Sequence, residues 1–298
     1  MATAKSPDYR PFKSEEARER YLAYYDATAN SWPVASEPRT VGTEYGDTFM
    51  RVTGPVDAQP LLLLPPGNAP SQAWYPMIAA LSERFRTYAL DAIYDVGRSV
   101  PSRPITGVPD VMQWLDSLLN ELGMRHPVDL IGLSLGASIT AEYTLHAPQR
   151  LRKVVWISPA AVTAPVSRGF ITGALSCVLP LRGAYRKYVS WMMPDLAADE
   201  RELDQMVDGL LLARQCYGMA PKVNPRQLTD AELSAIEVPA MYVVGQRDVV
   251  CSDPQAAVAR VRAVAPQIET FLVPDAGHEA YAMQPKLVTD SVLEFLGT

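Results

Sequence analysis

The chain has few of the features that mark membrane, secreted or metal-binding proteins. Its three cysteines, Cys177, Cys216 and Cys251, are scattered and form no CxxC pair or metal-ligand spacing, so we expect neither a disulfide framework nor a metal site. No apolar run approaches the ~20 residues needed to cross a bilayer, and the longest obvious one, Leu61 to Leu64, is strand-sized. The N-terminal segment is polar and lacks the apolar middle of a signal peptide. We therefore expect a cytoplasmic protein without a membrane partner.

The charge balance argues against a nucleic-acid partner. The 298 residues include 27 Lys and Arg against 33 Asp and Glu, which gives a formal net charge of −6. A protein that grips phosphate backbones more often carries a basic cluster, and the sequence shows none. With 48% hydrophobic and 20% charged residues, the composition is that of a soluble globular protein, long enough for one large or two modest domains.

Short apolar segments alternate with helical patterns from residue 60 onward. The pattern predicts strands over 61–64, 87–91, 128–133, 153–158, 240–245 and 270–273. It predicts helices over 72–84, 109–122, 135–146, 254–264 and 285–296. This alternation is typical of an α/β fold, in which helices cover both faces of a mainly parallel sheet.

Two regions depart from the alternation. Before it, the sequence predicts a helix over 14–29 and a hairpin over 40–53, with the turn of the hairpin at Gly46-Asp47. Between the fourth and fifth predicted strands the pattern is mostly helical, which indicates a helical cap inserted into the α/β core. The predicted division is an α/β core of residues 1–159 and 236–298, with a cap or lid of residues 160–235.

A G-x-S-x-G pattern places Ser134 between Gly132 and Gly136, where a predicted strand passes into a predicted helix. A serine on such a sharp, strained turn projects its hydroxyl from the carboxyl edge of the sheet. Side chains two residues away on either side would collide across the turn, and the two glycines remove that collision. The alternative is a tight turn with an incidental serine, but this context favours a nucleophile at Ser134.

A serine hydroxyl needs a base to take its proton, and only three histidines are available. His146 lies about three turns along the helix that follows Ser134, and His126 precedes the strand that leads to Ser134, so both should lie far from the hydroxyl. His278 follows a late strand in the segment PDAGHEAY, at the same predicted edge of the sheet as Ser134. We therefore predict His278 as the base.

The acid that orients the base should follow another strand at that edge. Asp248, in VVGQRDVV, meets this condition, and its carboxylate would hold the imidazole tautomer and stabilise the imidazolium. Asp253 and Asp275 are rivals, but Asp253 is placed to cap the helix that begins at Pro254, and Asp275 to shape the turn before the histidine. We predict the order Ser134, Asp248, His278.

Two backbone N–H groups should stabilise the tetrahedral oxygen. One is expected from Leu135, directly after the nucleophile. The other is expected from Asn68 in the loop PPGNAPSQAW, where Gly67 allows a close approach of the backbone. The alternative is that PPGN only forms a turn.

These motifs together resemble the α/β-hydrolase superfamily. The resemblance rests on the elbow GLSLGAS, the segments VVGQRDVV and PDAGHEAY, and the loop PPGNAPSQAWYP. More narrowly, the segments YDATANSWPV, YDVGRSVPS and SWMMPD are similar to bacterial carboxylesterases of the naproxen-esterase type. The resemblance covers nearly the whole chain, strongest around the elbow and weakest in the cap.

The resemblance implies hydrolysis of a small-molecule ester through an acyl-serine, without a cofactor. Ser134 would attack, His278 would relay protons and Asp248 would orient the histidine, while Leu135 and Asn68 would donate to the oxyanion. The sequence departs from the family pattern where Pro66-Gly67 replaces the usual His-Gly and where residues 94–97, YDVG, replace the usual Gly-His-Gly. Neither change removes a catalytic group.

The fold and the predicted triad leave the reaction partly open. Thioesterases, lactonases, cofactor-free haloperoxidases and lyases use similar sites, whereas a non-catalytic ligand sensor usually shows a damaged triad. Trp191, Met192 and Met193 in the predicted cap indicate either an apolar substrate pocket or packing of the cap onto the core. The sequence does not indicate an oligomeric state.

Overall fold

The structure, a computed structural model, describes residues 11–218 and 223–297. Its strands are β1 (Glu37–Thr43), β2 (Gly46–Thr53), β3 (Pro60–Leu64), β4 (Arg86–Leu90), β5 (Val100–Pro101), β6 (Val128–Leu133), β7 (Leu151–Ile157), β8 (Ala240–Gly245) and β9 (Glu269–Val273). Its helices are α1 (Glu15–Ala29), α2 (Tyr75–Arg84), α3 (Val108–Glu121), α4 (Leu135–His146), α5 (Arg168–Ser176), α6 (Arg182–Met192), α7 (Glu200–Cys216), α8 (Asp230–Ser234), α9 (Pro254–Val264), α10 (Ala280–Met283) and α11 (Pro285–Gly297).

The strands form one sheet in the order β1-β2-β4-β3-β6-β7-β8-β9, with the short β5 paired to β2. From β4 to β9 in this order, each strand is parallel to its neighbour. At the other end of the sheet, β1 and β2 form an antiparallel hairpin, and β2 is also antiparallel to β4. The prediction of an α/β fold with a mainly parallel sheet is confirmed. Parallel strands bring their carboxyl ends to one edge, and this edge carries the predicted site residues.

Helices cover both faces of the sheet. Along β3, Leu62 and Leu64 join the apolar core that contains α3, α4 and α9, whereas Leu61 and Leu63 join the core that contains α2 and α11. These four side chains are at most 1% exposed. Because successive side chains of a strand point to opposite faces, burial on both faces requires a continuous apolar run such as the one in β3.

The turn of the first hairpin differs from the prediction. Thr43 pairs with Gly46, so the turn consists of Glu44 and Tyr45 instead of Gly46-Asp47. Gly46 is the first residue of β2, with φ +125°, and a Cβ there would collide with the carbonyl of Val100 in β5. The glycine therefore permits the close approach of β5, a strand far along the chain that the local turn pattern does not reveal.

Helices α5 to α8 lie between β7 and β8 in the chain, within the segment predicted as a cap. Helices α6 and α7 share a small core of their own, formed by Tyr185, Val189, Leu203, Val207 and Leu211. The proposed boundaries of the core and the cap stay a prediction. Residues 1–10 and 298 of the predicted core and 219–222 of the predicted cap lie outside the described residues.

Helix α1 connects the N-terminal region to the inserted helices. Ser14 caps α1 by accepting a hydrogen bond from the N–H of Ala17 at 3.1 Å, as a helix beginning at this serine requires. The ring of Tyr21 packs edge-on against that of Tyr217, which follows α7, with the centroids 4.9 Å apart. None of the helices in the described ranges combines the length and apolar character needed to span a bilayer.

Candidate active site

Ser134 stands on the turn between β6 and α4, in a conformation that the surrounding backbone enforces. Its φ is 49° and its ψ is −111°, a left-handed conformation that a non-glycine residue adopts only under constraint. Its N–H donates to the carbonyl of Ile157 in β7 at 2.9 Å. A Cβ at Gly132 would collide with the backbone of Gly136, and one at Gly136 would collide with the carbonyl of Leu64. The two glycines are therefore a steric requirement of this turn.

His278 lies between Ser134 and Asp248. Its Nε2 is 3.0 Å from Oγ of Ser134, and its Nδ1 is 2.9 Å from Oδ2 of Asp248. Asp248 is 4% exposed and His278 is 6% exposed, so the contact between them is shielded from water. Loops after β8 and β9 supply these two residues, and the turn after β6 supplies the serine. The three residues thus meet at the carboxyl edge of the sheet, although 144 positions separate Ser134 from His278.

The charge of Asp248 is held by its hydrogen bonds. Its Oδ1 accepts the N–H groups of Val250 at 2.8 Å and Cys251 at 3.2 Å. Burial raises the pKa of Asp248, but His278 and these N–H groups outweigh it and leave the pKa below its usual range. Burial likewise lowers the pKa of His278, but the charge of Asp248 and the hydrogen bond to it prevail, and the net shift is upward. This pairing stabilises the imidazolium that forms when the histidine takes a proton.

The other histidines and the rival acids lie elsewhere. His146 is at the end of α4, where its Nε2 is 2.9 Å from Asp116, and His126 is exposed. Asp253 accepts the N–H of Ala256 at 2.9 Å and caps α9, as predicted for a residue before Pro254. Asp275 has a φ of 52°, which suits a turn residue.

The loop after β3 lies beside the amino end of α4. Leu135 is the first residue of α4, and the first N–H groups of a helix have no partner within it. A Cβ at Gly67 would lie 3.4 Å from Cδ2 of Leu135, an ordinary van der Waals distance, so packing against Leu135 does not itself require the glycine. Asn68 follows with a φ of 59°, and its N–H donates to Oδ2 of Asp95 at 2.9 Å. The N–H that the sequence predicts as an oxyanion donor thus has a carboxylate as its partner in this structure.

No sequence motif predicts a functional role for Asp95. Its Oδ1 accepts the N–H of Val96 at 2.8 Å, and burial raises the pKa of Asp95 to about 6 despite the hydrogen bonds from Asn68 and Val96. The one sequence feature that could have drawn attention to Asp95 is its place in YDVG, where the family that the sequence resembles has Gly-His-Gly. The N–H of Gly97 in the same segment donates to the hydroxyl of Tyr217 at 2.8 Å.

Glu279, the neighbour of the predicted base, is a second functional candidate that no sequence motif predicts. It is 1% exposed, and neither carboxyl oxygen has a hydrogen-bond partner among the described residues. Burial raises its pKa to about 7; the residue's own backbone N–H and the charge of His278 oppose this shift, and the charges of Asp195 and Asp248 reinforce it. A glutamate directly after a proposed catalytic histidine was the only sequence signal for this group.

The apolar residues predicted to line a substrate pocket or pack the cap lie at the end of α6. The ring of Trp191 stacks on that of Tyr188, with centroids 6.2 Å apart, and a Cβ at Gly169 in α5 would collide with it. Trp191 therefore packs α6 against α5, while Met192 and Met193 are half-buried. Within the described ranges, no group of three or more His, Cys, Asp or Glu side chains is arranged to hold a metal ion.

Residues 61–290 match the Alpha/beta hydrolase family. Two relatives from Bacillus subtilis (strain 168) align over most of the chain. The first is carboxylesterase YbfK, 34% identical over 293 residues, which is 97% of each chain. The second is the uncharacterized carboxylesterase nap, 31% identical over 279 residues, which is 93% of this chain and 92% of the relative.

A solved structure shows the same likeness in three dimensions. The crystal structure of naproxen esterase (carboxylesterase NP) from Bacillus subtilis superposes with a TM-score of 0.87 at 30% identity. The superposition covers 95% of this chain and 99% of that one. The likeness therefore includes the inserted helices as well as the sheet.

Proposed function

Because this chain belongs to the alpha/beta hydrolase family, we propose that it is an ester hydrolase whose reaction proceeds through an acyl-serine at Ser134. The observation that carries the proposal is the unbroken line of contacts from Oγ of Ser134 through the ring of His278 to Asp248, at 3.0 and 2.9 Å. Hydrolysis of a small-molecule carboxylic ester needs a nucleophile, a base and an oxyanion site, and these residues supply the first two without a cofactor.

The first half of the reaction forms the acyl-enzyme. Nε2 of His278 takes the proton of the Ser134 hydroxyl as Oγ attacks the ester carbonyl carbon, and the resulting imidazolium is stabilised by Asp248. The N–H of Leu135 and the amino end of α4 face the developing oxyanion. The tetrahedral intermediate collapses when His278 returns the proton to the leaving alcohol, and the acyl group stays on Ser134.

The second half repeats these steps with water. His278 takes a proton from a water molecule that attacks the acyl carbon, and then returns it to Oγ of Ser134 as the carboxylic acid leaves. The second predicted oxyanion donor is the N–H of Asn68, which must turn from Oδ2 of Asp95 toward the oxyanion or divide its hydrogen bond between the two. The inserted helices of the proposed cap would then supply the substrate-binding walls.

Labelling and hydrolysis with matched variants test the proposal. A fluorophosphonate should modify the wild-type protein at Ser134, as located by peptide mass spectrometry, and the protein should hydrolyse p-nitrophenyl butyrate. Ser134→Ala and His278→Ala should abolish labelling and lower kcat by about a thousandfold or more. His146→Ala is the matched control, because His146 also pairs with an aspartate, Asp116 at 2.9 Å, but lies at the far end of α4. Labelling at another serine, or equal loss in His146→Ala, would contradict the proposal.

A further inference from the structure

Helices α5 and α6 form a hairpin, residues 166–194, that exposes an unusual number of large apolar side chains. Five of them lie within eleven consecutive residues and form the apolar tip of the hairpin. They are 48–65% exposed: Ile171, Leu175, Val178, Leu179 and Leu181. No residue of α5 is buried. Exposed apolar patches of this kind mark interaction surfaces on proteins that otherwise bury such residues.

The orientation of α5 is the reverse of that expected for a helix that covers a core. Its two glycines face α6, since a Cβ at Gly169 would collide with Trp191 and a Cβ at Gly173 would collide with Tyr188. Ile171 and Leu175, four residues apart on one side of the helix, are exposed instead. Small residues therefore make the internal contact and leave the large apolar ones to an external partner.

The charge of the hairpin indicates what kind of partner fits. The sequence has no Asp or Glu from residue 143 to residue 194, although the chain as a whole has a net charge of −6. Arg182 and Arg186 pair with acidic residues of α7. Arg168 and Lys187 are exposed, and neither has an ion pair within the ranges that the structure describes. The hairpin itself thus carries cations and no carboxylate, and its two unpaired cations together with the apolar tip complement an anionic lipid surface.

A second copy of the chain fits this patch less well. Contact between two identical tips would bring the cations of one hairpin close to the same cations of the other, and like charges repel. The acidic remainder of the chain is likewise repelled by an anionic surface, so long-range electrostatics would turn the hairpin toward that surface.

The base of the hairpin adjoins the candidate active site. At one end, the N–H and the hydroxyl of Ser167 donate to the carbonyls of Val250 at 2.7 Å and Val249 at 2.6 Å, directly after Asp248. At the other end, Asp195 lies 3.5 Å from Arg247. The hairpin therefore projects from the rim of the candidate site.

We propose that the α5–α6 hairpin adsorbs to anionic lipid bilayers, with the apolar tip among the headgroups and with Arg168 and Lys187 next to the lipid phosphates. The inference goes beyond the proposed esterase activity, because adsorption does not depend on hydrolysis. A Ser134→Ala protein should bind such bilayers as well as the wild type.

Vesicle co-sedimentation of the full-length chain tests this inference. The protein should sediment with vesicles of phosphatidylcholine containing about one-third phosphatidylglycerol, much less with pure phosphatidylcholine, and less as salt is raised. Leu175→Ser with Leu179→Ser should weaken binding about tenfold or more, because two inserted apolar side chains are lost. Arg168→Glu with Lys187→Glu should remove the preference for the anionic vesicles.

Val56→Ser is the matched control, because Val56 is 78% exposed in the loop after β2, far along the chain from the hairpin. It should bind as the wild type does. Unchanged circular dichroism and unchanged hydrolysis of a soluble ester would show that each variant is folded. The inference is overturned if neither vesicle binds the protein, if both bind it equally, or if the Leu175/Leu179 variant binds normally. It is also overturned if light scattering shows a dimer that this variant dissociates while vesicles remain unbound.

Discussion

Glu279 places an unsatisfied carboxyl group beside the proposed catalytic base, and this arrangement should cost stability. The side chain is 1% exposed, and both oxygens are without a hydrogen-bond partner among the described residues. Burial raises its pKa from 4.5 to about 7. We expect Glu279→Gln, which removes the ionisable proton and keeps the size of the side chain, to stabilise the protein at alkaline pH.

The pKa shift sets the size and the pH range of this effect. Between about pH 4.5 and 7 the native carboxyl binds more protons than the unfolded one, so the free energy of unfolding falls as pH rises through this interval and levels off above it. A pKa shift of this size lowers the free energy of unfolding by about 3 kcal/mol at pH 8 and by about 1 kcal/mol at pH 5. Glutamine is neutral at every pH, so it does not incur this loss. The variant should therefore be more stable than the wild type at both pH values, and the difference should be larger at pH 8 than at pH 5.

Urea unfolding of both proteins at pH 5 and pH 8, followed by tryptophan fluorescence, measures the difference. Glu294→Gln on the exposed side of α11 is the control, and its effect should stay within about 0.5 kcal/mol at both pH values. The reasoning is refuted if the stabilisation by Glu279→Gln is the same at pH 5 and pH 8, or if the variant is the less stable protein at pH 8.

Three further predictions concern the site and its turn. Asp248→Asn should lower kcat for p-nitrophenyl butyrate by about 10⁴-fold through loss of the imidazolium partner, whereas Asp116→Asn, which alters the other aspartate–histidine pair, should change it less than twofold. Gly132→Ala should inactivate or unfold the protein, because its Cβ collides with backbone. Gly183→Ala should keep full activity in the same assay, because, beyond its chain neighbours and the adjacent helix backbone, no atom of the described residues lies within 4 Å of the added Cβ. Asp95→Asn removes a negative charge beside a predicted oxyanion donor, so a phenylboronic acid should bind more tightly at pH 8, and weaker binding in the inhibition assay would count against that reasoning.

The parts of the site that the sequence could predict depend on local geometry or on the small number of residues of the required type. The elbow around Ser134 is a steric pattern within five residues, so spacing alone predicts its glycines and its position between a strand and a helix. His278 could be predicted because the chain has only three histidines and the other two lie at unsuitable places along their elements. The alternation of strands and helices predicted the sheet, since each buried strand is a continuous apolar run.

Other features depend on contacts between segments that are distant in the chain, and only the tertiary structure decides them. The hairpin turns at Glu44-Tyr45, and Gly46 lies where β5 approaches β2. Asp95 reaches the N–H of Asn68 across 27 positions, a contact that no local pattern encodes. In α5 the sequence shows glycines and apolar residues mixed with Arg168, Thr172 and Ser176. The packing of Trp191 and Tyr188 selects the glycine side for the interior, and that choice leaves the apolar tip exposed.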